Sequence, residues 1–259
     1  MGARLVAGAA AELYLATGRR MTITRAKDRL LFEAGQVPQP AGAARPSAVA
    51  NGARNKLLPE DAPVHDWYRF VLSFPPTLVR EYAGRFALGE RDRVLDPFCG
   101  TGTTLVECKK LGLPSWGFEA HPMAAFASRV KSDWALDPTA IRRFAAGLAG
   151  ALRGRAAQRS GRLRTLPADA QKLLLKDCIS PLPLHKCLLL QEHLAGHVDK
   201  PFQPLLLLAL ASAVVRDISN LHFGPEVGVR GWKEDADVLG AWLQPVRVMA
   251  RDLSEVSRA

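Results

Sequence analysis

The stretch VLDPFCGTGTTLVE, residues 94–107, places a carboxylate at the end of an apolar run and follows it with Gly-x-Gly at the start of a helical pattern. Gly100 and Gly102 can take backbone angles that other residues avoid, and they let a ligand approach the main chain. The free N–H groups at Thr103 then face an anion. A dinucleotide fingerprint requires a third glycine at the position held by Leu105. A pyrophosphate would also be repelled by Asp96. The ligand should therefore offer an amine to Asp96 and a carboxylate to the helix start, as an amino acid does. Glu119 closes the next apolar run, where an acid can hydrogen-bond ribose hydroxyls. An amino acid joined to a nucleoside is S-adenosylmethionine. Taken alone, Gly-x-Gly is a weak signal, and Glu119 could equally cap the following helix.

The elements that must position these groups follow from the pattern. Residues 93–98 read as a short buried strand, 103–111 as a helix, 115–119 as a second strand and 123–130 as a second helix. This is a βαβα start, which predicts an α/β fold with a doubly wound, mainly parallel sheet. Such a fold needs about five strands or more, and only two are evident, so the sheet is expected to be incomplete. Residues 139–215 read as almost wholly helical, a large helical insertion. Within it, 205–215 is a buried helix started by Asp199 and Pro201. A glycine-bearing loop spans 221–237 and a final helix 238–256. Upstream, 64–86 carries aromatics, then Pro75–Pro76, then a helix with Leu78, Val79, Tyr82 and Phe86 on one side. Residues 36–55 form a linker rich in Pro, Ala and Gly. A short helix is expected over 21–35, and an amphipathic helix or an upstream extension over 1–20. Three regions result: 1–55 as N-terminal helix and linker, 56–135 as the ligand-binding half, and 136–259 as the helical insertion.

The 259 residues are 48% apolar, enough for a substantial core. The longest apolar run is LLLLALASAVV, far short of the roughly 20 residues that cross a bilayer, so no membrane contact is expected. Glu12 and Arg19–Arg20 argue against an export signal. Four cysteines without a C-x-x-C pair suit a reducing cytoplasm. The net charge of +10 is concentrated. Residues 139–167 hold no acid but seven arginines: Arg142, Arg143, Arg153, Arg155, Arg159, Arg162 and Arg164. Such a block suits a phosphate backbone, because each neutralised phosphate releases a counterion; the plainer reading is a solvated basic face.

DPFCGTGTT resembles the cofactor motif of amino-directed DNA methyltransferases, which modify adenine N6 or cytosine N4. HDWYRFVLSFPPTLVREY resembles the segment that precedes this motif in one branch of that family. The likeness covers roughly residues 55–135, with ISPLPLHK and FGPEVGV looser echoes. It implies a Rossmann-like methyltransferase fold, S-adenosylmethionine as cofactor, and DNA as partner in a restriction–modification or orphan setting. By position, it implies that Asp96 meets the methionine amino group. Pro97, Phe98, Gly100, Thr101, Gly102 and Thr103 surround the methionine end, Glu119 holds the ribose, and Phe74 and Pro75 close over the methionine.

Enzymes of this family also need Asp, Asn or Ser, then Pro-Pro, then an aromatic. The polar side chain and a proline carbonyl accept the amine hydrogens and localise its lone pair, and the aromatic stacks on the flipped base. The only Pro-Pro here is Pro75–Pro76, flanked by Phe74 and Thr77. Phe74 accepts no hydrogen bond and Thr77 cannot stack. No catalytic residue is therefore assigned. The chain is expected to be an N-terminal part, truncated and inactive alone, unless a second polypeptide carries the motif. Two other readings stay open. One is an RNA guanine-N2 methyltransferase, which shares the DPFCGTG turn. The other is a non-catalytic fragment that binds cofactor or DNA. Cys178, Cys187, His193 and His197 have spacing unlike a structural zinc site, and no metal is expected. Cys99, inside the turn, reads as packing rather than as a nucleophile. Trp232 can either stack on a base or anchor its loop to the core.

Overall fold

The computed structural model describes residues 57–70, 73–157, 162–223 and 227–257, and the backbone of 13–14 and 20–21. The described chain falls into two compact units. One comprises residues up to Asp61 together with Phe70–Ser132; the other comprises Ala62–Arg69 and Asp133 onward.

In the first unit, Leu13–Tyr14 (β1) pairs antiparallel with Arg20–Met21 (β2), where the sequence suggested an amphipathic helix or an upstream extension. The rest of that expectation, the helix over 21–35 and the linker over 36–55 lie outside the described residues. Pro76–Arg85 forms α2, with Pro76 in its first turn, where the missing N–H costs nothing. Its Leu78, Tyr82 and Phe86 are exposed rather than packed inward, and the Tyr82 and Phe86 rings stack at 6.0 Å. Val94–Asp96 (β3), Thr103–Lys110 (α3), Ser115–Gly117 (β4) and Pro122–Ser132 (α4) follow. β3 and β4 are parallel, with Asp96 opposite Gly117. Val106, Cys108, Leu113, Ala124, Ala127 and Val130 form the core beneath them.

Arg80 of α2 ties this unit together. It donates to Glu107 at 2.6 Å and lies 2.8 Å from Asp61, and both carboxylates are buried. Among the described residues the parallel sheet is this one pair of strands, short of the doubly wound sheet that the sequence suggested. Parallel strands are normally covered on both faces, yet Leu95 is 58% exposed. Among the described residues no element covers that side chain.

The second unit is helical: Pro138–Ala157 (α5), Ala168–Gln171 (α6), Pro181–Ala195 (α7), Gln203–Ala213 (α8) and Val238–Val256 (α9). α8 is apolar all round and accordingly buried. It begins at Gln203, two residues ahead of the expected 205, with Pro204 in its first turn, and Asp199 and Pro201 lie before it. α9 buries Val238, Trp242, Val246, Met249 and Leu253, and the Trp242 indole donates to the Leu206 carbonyl. Ala62–His65 (α1) opens a segment whose backbone is kinked at Pro63 and Val64. Val64 has a φ of 67°, rare for a β-branched residue. Its N–H and the Trp67 indole both donate to buried Asp252 of α9, which holds that conformation.

α5 buries Ile141, Ala145, Ala149, Leu152 and Ala156 on one stripe. Its outer side carries Gly147, Gly150 and Gly154. A Cβ at any of the three would meet nothing within 4 Å, so packing does not require them, although each costs about 1 kcal/mol against alanine.

The expected loop after residue 220 contains a hairpin. Leu221–Phe223 (β5) pairs antiparallel with Val227–Val229 (β6). Buried Asn220 anchors its base. The side chain donates to the Asp177 carbonyl and Ser180 and accepts from the Lys233 N–H, while the backbone binds Cys178 and Arg230. No helix among the described residues is long and apolar enough to cross a membrane.

Candidate functional site: the glycine turn between two strands

β3 delivers Asp96 to the strand end, and the chain then reverses through Pro97–Gly102 into α3. The Gly102 N–H bonds the Cys99 carbonyl at 2.8 Å, closing the turn. Gly100 has φ +53° and Gly102 φ +90°, conformations in which a side chain is strained. At Gly102 glycine is also a spatial necessity. A Cβ there would lie 2.8 Å from Ser128 Oγ and 3.1 Å from Ser128 Cα of α4. At Gly100 a Cβ would meet nothing within 4 Å. One glycine is needed by the packing of α4; the other faces open space.

Asp96 ends β3, Glu119 lies two residues beyond β4, and both already hold the turn. Asp96 accepts the Phe98 N–H at 3.0 Å on one oxygen and the Thr104 hydroxyl at 2.5 Å on the other. Glu119 accepts the Gly100 N–H at 2.9 Å and the His121 N–H at 2.7 Å. The second bond lies at the entrance to α4, so Glu119 also plays the capping part. Each carboxylate oxygen keeps a further lone pair for a ligand. The Asp96 carbonyl accepts the Phe118 N–H and the Phe118 carbonyl accepts the Cys99 N–H, which brings the two strand ends and their acids together.

The other predicted residues divide. Thr101 and Thr103 are buried, whereas Phe98 is 84% exposed beyond the strand end. Pro97 lies in the turn itself. Phe74 is exposed and Pro75 forms the cap of α2. From that upstream segment, Phe70 meets His121 edge-on at 5.7 Å, next to Glu119. Sequence reasoning missed Gly117, where a Cβ would fall 2.7 Å from Cys99 Sγ and 2.9 Å from Leu105. A glycine at the strand position just before Phe118–Glu119 was the available signal. Ser128 was missed as well, for want of any local mark. Cys99 is buried and burial pushes its thiol pKa up, the opposite of what a nucleophile needs.

The arginine block belongs to the helical unit. Arg142, Arg143, Arg153 and Arg155 are exposed on α5, and Arg162 is exposed beyond it. Arg155 meets His193 at 2.9 Å and Arg164 pairs with Glu192 at 2.9 Å. Arg159 lies outside the described residues. Trp232 is 55% exposed, which answers the sequence ambiguity against a core anchor. Among the described residues no group of three or more His, Cys, Asp or Glu is placed to hold a metal ion.

Residues 56–127 match the family model described as DNA methylase. The matched segment resembles DNA methylases. It also resembles the type II methyltransferase M.BsoBI of Geobacillus stearothermophilus, 38% identical over 69 residues, 27% of this chain and 14% of that protein. The type II methyltransferase M.MjaII of Methanocaldococcus jannaschii is 38% identical over 69 residues, 26% of this chain and 13% of that protein. The matching part thus spans about one seventh of these relatives. No solved structure matches. The match contains Asp96, the glycine turn and Glu119, and supports a DNA methyltransferase family for this segment.

Proposed function

We infer that residues 73–132 carry the S-adenosylmethionine cradle of an enzyme that methylates the exocyclic amine of a DNA base, adenine N6 or cytosine N4, within a Rossmann-like fold. The observation that carries this is the pair of carboxylates around an open glycine turn, Asp96 at the end of β3 and Glu119 two residues beyond the adjacent parallel strand β4. The group fits. Asp96 has lone pairs for an ammonium, Glu119 for ribose hydroxyls, and Gly100 leaves room at the turn. Phe98 is exposed and available to pack on the ligand. Pro97, Thr101, Gly102 and Thr103 shape the same turn, and Phe74 and Pro75 belong to the segment proposed to cover the methionine. When bound, the cofactor supplies an electrophilic methyl group on a sulfonium. The chain's residues hold it, orient its amino-acid end and supply cations toward DNA.

The printed sequence holds no Asp, Asn or Ser before Pro-Pro-aromatic. No residue of this sequence is therefore assigned to activation of the amine. The proposal is tested by calorimetric titration of the chain with S-adenosylmethionine. Saturable binding to the wild type, weakened about tenfold or more in Asp96→Asn through loss of one charged hydrogen bond, supports it. Unchanged binding in Asp96→Asn overturns the placement, and no binding to the wild type overturns the cofactor. Radiolabelled methyl transfer to mixed-sequence DNA by this chain alone is expected to equal a heat-killed control.

A further inference from the structure

Among the described residues, the outer side of α5 is an exposed surface. Arg142, Arg143 and Arg153 are exposed on it, and among the described residues none of the three is paired with a carboxylate. The whole helix, PTAIRRFAAGLAGALRGRAA, carries four arginines and no acid. Between the two ends of this arginine set lie Ala146, Gly147, Gly150 and Ala151, all exposed. The glycines have no neighbour that a side chain would displace. They keep the helix surface flat where something from outside can come close to it.

We propose that this side of α5 docks on the phosphate backbone of duplex DNA, with Arg142, Arg143 and Arg153 as its phosphate contacts and Gly147 and Gly150 as the point of closest approach. This rests on the reading of DNA as the substrate and says which face meets it. The occupant follows from charge and spacing. Arg142 and Arg153 stand eleven residues apart, about 16 Å along the axis, so no single phosphate meets both. Arginines towards both ends of a helix that itself carries no acid call for a polyanion. Single-stranded nucleic acid is bound through aromatic stacking as well as charge, and the outer side of α5 offers no ring. Its one aromatic, Phe144, packs against His197 and Phe202. Arg155 and Arg164 are left out because His193 and Glu192 already engage them.

The test uses the full chain and fluorescent duplex and single-stranded oligonucleotides of one sequence, titrated across a salt series. Arg142→Gln/Arg143→Gln/Arg153→Gln is expected to lower the slope of log affinity against log salt by about 2.7. Gly147→Leu/Gly150→Leu is expected to raise the Tm, since leucine is the better helix former, yet weaken duplex binding about tenfold with the slope nearly unchanged. Gly147→Ala/Gly150→Ala is expected to raise the Tm and bind within about threefold of wild type. If the leucine variant is folded and binds like wild type while the arginine variant is weakened, the docking face is overturned and the DNA reading survives. Tighter binding of the single strand overturns the occupant. If wild type binds neither oligonucleotide, both readings fail together.

Discussion

The two glycines of the turn should respond differently to the same change. Gly100→Ala adds a methyl group into open space at φ +53°. Its only cost to the fold is left-handed strain, about 1–2 kcal/mol. Gly102→Ala meets the same strain at φ +90° and adds a Cβ 2.8 Å from Ser128 Oγ and 3.1 Å from Ser128 Cα. The hydroxyl can rotate away; the Cα cannot move without α4. Overpacking of that kind costs about 1–3 kcal/mol more, for a total of about 2–5 kcal/mol. At about 2–4 °C per kcal/mol in a chain of this size, Gly100→Ala should melt about 2–8 °C below wild type and Gly102→Ala about 4–20 °C below, always the larger drop of the two. Differential scanning calorimetry with urea titration measures both. S-adenosylmethionine titration of Gly100→Ala supplies the converse, because its new methyl group stands where the ligand is proposed to approach, and affinity should fall though the fold survives. Equal destabilisation of the two variants would refute the argument that α4 packing, not the turn alone, demands Gly102.

Three further outcomes are expected. Arg80→Ala leaves buried Glu107 and Asp61 without their guanidinium, but Lys110 still lies 3.1 Å from Glu107; a loss of about 2–3 kcal/mol is expected by chemical denaturation, and a loss under about 0.5 kcal/mol would mean that the cluster is solvated. Burial pushes Cys108 up to about 11 and Cys187 up to about 12, and raises Cys99 and Cys178 as well. At pH 8 about a thousandth or less of the Cys108 and Cys187 thiols is thiolate, so a thiol reagent should react slowly with these two in the native chain and promptly after unfolding. Finally, burial, then Arg164 and Lys186, lowers the pKa of His185, whose Nδ1 accepts the Arg164 N–H at 2.9 Å. The unfolded state therefore takes up the proton first. Stability is full above the unfolded pKa of about 6.5 and falls as pH drops through it. His185→Gln should flatten that part of the stability–pH curve, and an unaltered slope would count against the assignment.

The elements around the turn were legible in the sequence because local rules fix them. The apolar triplet ending in Asp96, two glycines and a helical period gave β3 and α3 to within a few residues, and α9 agrees at both ends. The hairpin at 221–229 carries no strand signal in the sequence, since its three-residue strands are too short to show alternation. α8 starts two residues ahead of the expected 205, because Gln203 and Pro204, which open its first turn, lie outside the apolar run that marks the helix in the sequence. The outward side of α2 shows the deeper limit. Leu78, Tyr82 and Phe86 have the period of a buried face, but a periodic stripe names a face and not what covers it. The attachment of Ala62–Arg69 to α9 through Asp252, 188 residues from Val64, likewise leaves no local trace.

The carboxylates of the site were named from their type and place, and the structure adds that both already serve the turn. This changes which substitutions are informative. In Asp96→Asn the amide oxygen can still accept from the Phe98 N–H, and the amide nitrogen can donate to the Thr104 hydroxyl in place of the bond now received from it. The turn keeps its bonds and loses only the charge. In Glu119→Gln one of the two backbone N–H groups, Gly100 or His121, must face an NH2 instead of an oxygen. Two donors then oppose each other, so the turn itself is disturbed. Loss of cofactor binding in Glu119→Gln would therefore follow from the broken turn even if Glu119 never touched a ribose. The same loss in Asp96→Asn, with the Tm held, has no such structural explanation and points to the missing charge.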